Sequence, residues 1–133
     1  MKVFANTDVG LVRQLNEDDY CIAHNANDEW MAIVCDGIGG AKAGEVASHT
    51  AVMTMYEAFM KSPVFEKDRQ VDNWIRENLN QANDFIYSKS LKNFNERGMG
   101  TTAVGVIKAH IGTFIFNVGD SRIYADYNNE LIQ

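Results

Sequence analysis

Three carboxylate groups in this sequence stand beside sharp turns, the setting in which a hard oxygen ligand for magnesium or manganese is held stiffly. Asp36 follows the apolar run Trp30-Met31-Ala32-Ile33-Val34-Cys35 and opens Asp36-Gly37-Ile38-Gly39-Gly40. At a strand end beside glycines, the carbonyl of Gly37 can turn toward the same ion as the Asp36 carboxylate; a turn or helix N-cap aspartate is the competing reading. Asn16-Glu17-Asp18-Asp19 puts three acids side by side, which is costly unless a cation or an arginine answers them, although a solvated acidic loop has the same composition. Arg13, four residues before Glu17, carries the planar fork that binds a phosphate through two hydrogen bonds, or a local carboxylate equally well. Asp120 in Gly119-Asp120-Ser121-Arg122 is the third acid at a turn, and Gly100-Thr101-Thr102 offers hydroxyls. His24, His49 and His110 have neither ligand spacing nor a paired nucleophile. The glycines of Gly37-Ile38-Gly39-Gly40 match neither dinucleotide nor P-loop spacing.

These residues must be positioned by strands and helices that the hydrophobic pattern predicts. Residues 2–7 are β-like, residues 20–23 and 30–35 have strand length and character, and Asn25-Ala26-Asn27-Asp28 between them is rich in turn formers, so a β-hairpin is expected. From Gly44 to Met60 the period changes, with Ser48, Val52, Met55, Tyr56 and Phe59 on one helical face and Pro63 closing the segment. Residues 68 to about 94 repeat the pattern with Val71, Trp74, Ile75, Leu79, Ala82, Phe85 and Ile86, before Gly98. Strand-like stretches return at 101–107, 112–118 and 121–127, and Asn128-Asn129 turns into a last segment, 130–133. A hairpin, two helices and a β-meander lack the βαβ rhythm of a parallel sheet, which predicts an α+β fold with antiparallel sheets packed on two helices.

Composition narrows the function classes. The chain of 133 residues is 46% hydrophobic with one proline, so it is expected to fold as a single domain without disulfide staples. Its 18 acids against 12 scattered bases give a net charge of −6, which disfavours nucleic acid and anionic membrane as partners. Cys21 and Cys35 are too far apart for a C-x-x-C site and read as buried, reduced thiols. No apolar run approaches the ~20 residues of a membrane span, and no signal-like leader is visible, which predicts a cytoplasmic setting.

Five segments in order, Thr7-Asp8-Val9-Gly10-Leu11-Val12-Arg13-Gln14-Leu15-Asn16-Glu17-Asp18, Val34-Cys35-Asp36-Gly37-Ile38-Gly39-Gly40, Gly44-Glu45-Val46-Ala47-Ser48, Gly98-Met99-Gly100-Thr101-Thr102 and Asn117-Val118-Gly119-Asp120-Ser121-Arg122-Ile123-Tyr124, resemble one known set. It is similar to the metal-dependent PPM family of protein serine/threonine phosphatases, the type 2C phosphatases, in bacterial form and over the N-terminal half only. The resemblance implies an α-β-β-α sandwich, of which residues 1–133 would be a part, with a dinuclear metal centre between two sheets. It implies that Asp36 bridges two cations and that Glu17 and the Gly37 carbonyl complete the protein share of one. Arg13 would hold the substrate phosphate, Asp18 would accept from metal-bound water, Thr101 or Thr102 would line the site, and Asp120 would bind a third, weaker metal. The cofactors implied are manganese or magnesium, two per complete site and a third at Asp120. The implied reaction is hydrolysis of phosphoserine and phosphothreonine by a metal-activated water, opposing a cognate serine/threonine kinase on a phosphorylated protein substrate.

Two departures stand beside this resemblance. Ile38 occupies a position where many relatives carry histidine or methionine, so a histidine proton donor is absent there. The aspartates that hold the family's other metal come later than Gln133, and the chain stops inside an apparent strand; both suggest a truncated catalytic domain with open sheet edges prone to self-association. A catalytically silent binding or regulatory module that keeps the fold is the alternative.

Overall fold

The computed structural model describes residues 1–40 and 42–133. Strand β1 (Asp18–His24) and strand β2 (Trp30–Ile38) form an antiparallel hairpin in which Tyr20 faces Val34 and Asp18 faces Asp36. Helices α1 (Ala43–Met60) and α2 (Asp68–Lys92) follow, then a 3₁₀ turn at Phe94–Glu96. The chain returns as β3 (Gly100–Thr101), β4 (Ala103–Ala109) and β5 (Gly112–Val118), and ends in the hairpin of β6 (Ala125–Tyr127) and β7 (Glu130–Ile132). The main sheet has the antiparallel order β1-β2-β4-β5, with β3 paired to the end of β2. The fold is thus α+β, two helices and antiparallel sheets, as the pattern of periods predicts. Among the described residues no helix is long and apolar enough to cross a membrane.

Alternation along the strands decides which face receives the helices. Met31, Ile33 and Cys35 of β2 point inward with Ala23 of β1, Ile107 of β4 and Phe116 of β5, and all are buried. Against them α1 lays Ala47, Ala51, Val52, Met55 and Phe59, and α2 adds Val71, Ile75, Ala82 and Ile86. Trp74 seals the far end, its ring edge-on to both Phe59 and Phe65. Each large side chain fully buried this way contributes about 1.5–3 kcal/mol. Phe85, placed by periodicity on the same face of α2, is instead 47% exposed. The other face of the sheet is also apolar: Tyr20, Ile22, Val34 and Ile115 are each more than a third exposed.

Three expectations need correction. Residues 2–7 form no strand; residues 3–8 border a groove on the outer face of β1 and β2, with Phe4 95% exposed. Local β character yields a strand only where a neighbour offers a ladder, and this stretch pairs with none among the described residues. The stretch 101–107 divides at Thr102, between β3 and β4, because Thr102 bonds to Asp36 instead of continuing one ladder. Only 125–127 of the stretch 121–127 is strand: the chain bends at 119–120, and Asn117 Nδ2 holds the following residue by donating to the Ser121 carbonyl at 2.8 Å. The turn at Asn128-Asn129 is as predicted, with φ of 54° and 64°, the left-handed pair of a type I′ hairpin.

A buried polar knot anchors the end of the sheet remote from Asp36. Glu29 is fully buried, and its side-chain oxygens accept from the backbone N–H of Phe65 at 3.3 Å and of His110 at 3.2 Å. Asn25 accepts from the N–H groups of Asn27 and Glu29 and donates to the Phe59 carbonyl at 3.2 Å. One glutamate therefore ties the β1–β2 turn to the α1–α2 connection and to the β4–β5 turn. Replacing it orphans two buried donors and opens a cavity. Glu29→Ala should cost about 3 kcal/mol of stability in denaturant titration, well beyond the effect of Glu29→Gln, which keeps one acceptor; equal stability of Glu29→Ala and the parent would contradict this role.

Candidate functional site

The site is built where β2 runs out against the start of α1. The Gly37 N–H donates to the Glu17 carbonyl at 3.1 Å, extending the β1–β2 hairpin one step beyond Asp18. Gly37 then meets Gly44 of α1 backbone to backbone: a Cβ on Gly37 would overlap the Gly44 carbonyl oxygen. A Cβ on Gly44 would lie 2.7 Å from Glu17 Oε1 and 2.9 Å from the Gly37 carbonyl carbon. The Glu17 carboxylate thus rests on the first turn of α1, at the positive end of the helix dipole. Lys42, with φ of 73°, leads into that turn, and the Ala43 N–H donates to the Gly40 carbonyl at 2.9 Å.

Thr102 fixes Asp36 from behind. The Asp36 N–H donates to Thr102 Oγ1 at 3.0 Å and the Thr102 N–H donates to the Asp36 carbonyl at 2.9 Å. Thr102 is itself buried, and its Oγ1 lies 2.6 Å from Ser121 Oγ. Thr101, half-buried, pairs with Gly37 and donates its hydroxyl to the Thr102 carbonyl at 2.9 Å.

Arg13, Glu17, Asp36, Gly37 and Asp120 line one open cleft of about 540 Å³, together with Gln14, Leu15, Ile38 and Gly39. Asp18 stands beside it, across the hairpin from Asp36. Thr101 and Thr102 are not on the cleft wall; they lie beneath it. His24 and His110 are at the opposite end of the sheet, where His24 stacks on Trp30 and His110 Nε2 bonds the Asn27 carbonyl. His49 of α1 pairs with Asp19 at 2.8 Å, on the other flank of the acidic run. The sequence reading gave no part to Gly44 or Ser121. Gly44 sits in a recognised motif but reveals its close contact only in three dimensions, and Ser121 resembles any serine after a turn aspartate.

Electrostatics at the cleft favour a cation. Partial burial raises the Asp18 pKa, and a hydrogen bond to Asp36, the Asp36 charge and Glu17 push the same way, against a smaller lowering by Arg13. Crowded carboxylates of this kind are relieved by a multivalent ion. The donor set, two carboxylates and a carbonyl, is hard oxygen throughout and suits manganese or magnesium. Among the described residues no three His, Cys, Asp or Glu side chains converge closely enough to hold an ion by themselves. A partly solvated ion would fit this set, and Glu17, Asp36 and the Gly37 carbonyl are the groups that could hold it.

The sequence model of protein phosphatase 2C matches residues 10–133. A serine/threonine phosphatase of Listeria welshimeri is 36% identical over 127 residues, covering 96% of this chain and 50% of that protein. The crystal structure of a serine/threonine phosphatase from Staphylococcus aureus superposes with a TM-score of 0.87 at 36% identity, over 96% of this chain and 50% of the other. The catalytic domain of another serine/threonine protein phosphatase, in complex with two manganese ions, gives a TM-score of 0.75 at 29% identity, over 95% of this chain and 51% of that one. The chain spans about half the length of the curated relatives it matches.

Two outcomes follow from this geometry. Helix propensity alone would make Gly44→Ala stabilising by about 0.5–1 kcal/mol; the contact with Glu17 and Gly37 reverses the sign, and the variant should lose about 1–3 kcal/mol in denaturant titration. Cys35 and Cys21 are both free, with burial pushing their pKa values from the ordinary 9.0 up to about 12 and about 11. Raised thiol values mean that their contribution to stability is fully present below pH 9 and is lost as pH rises through 11 to 12. Cys35 is buried as expected, whereas Cys21 is only half-buried; Cys35 should not react appreciably with a disulfide reagent at pH 8 until the chain is unfolded, and its rapid modification in the native protein would contradict this.

Proposed function

Since this chain belongs to the protein phosphatase 2C family, we propose that it is the N-terminal portion of a metal-dependent protein serine/threonine phosphatase domain. The observation that carries this reading is the convergence of Arg13 and Glu17 from the loop before β1, Asp36 and Gly37 from the end of β2, and Asp120 from the turn after β5 on one cleft. Its substrates are proposed to be phosphoserine and phosphothreonine side chains of proteins modified by a cognate kinase. The exposed apolar face of the main sheet supports packing of a second sheet there, the arrangement the sandwich requires.

Manganese or magnesium in this cleft would be held by Asp36, Glu17 and the Gly37 carbonyl, and Asp120 would hold a further cation more weakly. Bound manganese or magnesium supplies a water acidified toward neutral pH and a Lewis acid for phosphoryl oxygens. Arg13, exposed at the cleft mouth, binds and orients the phosphate through its fork and offsets the charge that develops on the equatorial oxygens. Asp18, beside Asp36 and carrying a raised pKa, is placed to accept or hold a proton at the cleft. Thr101 and Thr102 keep the Asp36 peptide in place. Ile38 has no titratable atom, so protonation of the leaving group falls to solvent in the cleft.

A second reading, a silent binding or regulatory module, is favoured by the absence of three convergent ligand side chains among the described residues. Manganese-dependent hydrolysis of a small aryl phosphate and of a phosphothreonine peptide separates the two. Turnover that disappears in Asp36→Asn and falls roughly 100-fold in kcat/KM in Arg13→Ala supports the phosphatase. A folded chain that binds manganese without turnover supports the silent module.

A further inference from the structure

Ser121 makes a contact that the reading above does not use. Asp36 and Asp120 come from a strand end and a turn far apart in sequence, and the polar connection between them runs through two hydroxyls. Thr102 grips the Asp36 peptide at both its N–H and its carbonyl, and the same Thr102 Oγ1 lies 2.6 Å from Ser121 Oγ. The turn is pressed onto Thr102 from a second direction: Gly119, at φ of 101°, packs so closely that a Cβ there would sit 2.8 Å from Thr102 Cγ2. Asn117 Nδ2 closes the turn by donating to the Ser121 carbonyl at 2.8 Å. Asp120, held between Gly119 and Ser121, has no hydrogen-bond partner for its carboxylate among the described residues and lines the cleft with Asp36.

We propose that Ser121 is a positioning residue that fixes the Asp120 turn relative to Asp36 through the Thr102 hydroxyl, and so sets the strength with which Asp120 holds a cation. The proposal rests on the reading of the cleft as a cation-binding phosphatase site. Without the Ser121 hydroxyl, Thr102 still grips Asp36, so the effect is confined to the Asp120 side. Residues that orient a ligand without touching the ion commonly change its affinity about 10–100-fold.

The test is a manganese titration of this chain, following free Mn2+ by its electron paramagnetic resonance signal, with hydrogen exchange of the amides of residues 119–122 measured in the absence of metal. Ser121→Ala should weaken about tenfold the class of sites that Asp120→Asn removes, and leave unchanged the class that Asp36→Asn removes. Ser121→Thr, which restores a hydroxyl, should recover the weaker class. Exchange at 119–122 should accelerate in Ser121→Ala and not in Ser121→Thr. Asn117→Ala, an exposed change that loosens the same turn, should weaken the same class and keeps the question decidable if Ser121→Ala does not fold. Parental binding and exchange in Ser121→Ala would overturn the proposal, as would equal weakening of both classes. Parental chain that binds no manganese, or Asp36→Asn that binds like the parent, would instead overturn the site reading itself and this proposal with it.

Discussion

The site depends on one contact, the meeting of Gly37 and Gly44 with no side chain between them. A strand end and a helix start are brought to backbone distance, and only two residues without Cβ atoms permit it. Three things follow from that approach. The Gly37 carbonyl is carried to the cleft, the Glu17 carboxylate is laid over the first turn of α1, and α1 is set at the angle from which Val52, Met55 and Phe59 cover the sheet. Packing of the core and placement of the cleft residues Glu17 and Gly37 are therefore the same event, and neither can shift without the other.

Electrostatics set the opposing demand. The hairpin register that buries Ile33 and Cys35 also places Asp18 opposite Asp36, with Glu17 adjacent. Repulsion among these acids works against the folded hairpin, and partial burial together with the neighbouring Asp36 raises the Asp18 pKa. Stability is supplied elsewhere: at the far end of the sheet, Glu29 and Asn25 satisfy the backbone groups of three different turns inside a dry core. One end of the sheet is closed by buried hydrogen bonds, while the other is open and acidic. This polarity is common where function requires an arrangement that is unfavourable by itself.

Hydroxyls link the two halves of the cleft. Thr102 lies 66 residues from Asp36 in sequence, yet it bonds both faces of the Asp36 peptide and touches Ser121. Side-chain networks of this kind are more than the sum of their pairs, because each bond holds the next at its best geometry in a low-dielectric setting. The network accounts for how cleft residues far apart in sequence are held together.

Local sequence determined much of this protein. The apolar runs of strand length at 20–23 and 30–35, the 3.6-residue period from Ser48 to Phe59 and from Val71 to Ile86, and the asparagine pair at 128–129 each encode a local conformation, because that signal needs only neighbours within a turn or two. The ligand types were also legible, since carboxylates beside glycines and an arginine four residues from an acid announce their chemistry wherever they fold. Tertiary structure alone decided that β4 lies beside β2, which brings Thr102 under Asp36 and carries the Asp120 turn to the same cleft. It decided that residues 2–7 do not become a strand, despite their composition, and that Gly44 is needed for space and not for flexibility. Pairings across 66 residues leave no local trace in a single chain: their free energy comes from surfaces that exist only after the hairpin and the helices have formed.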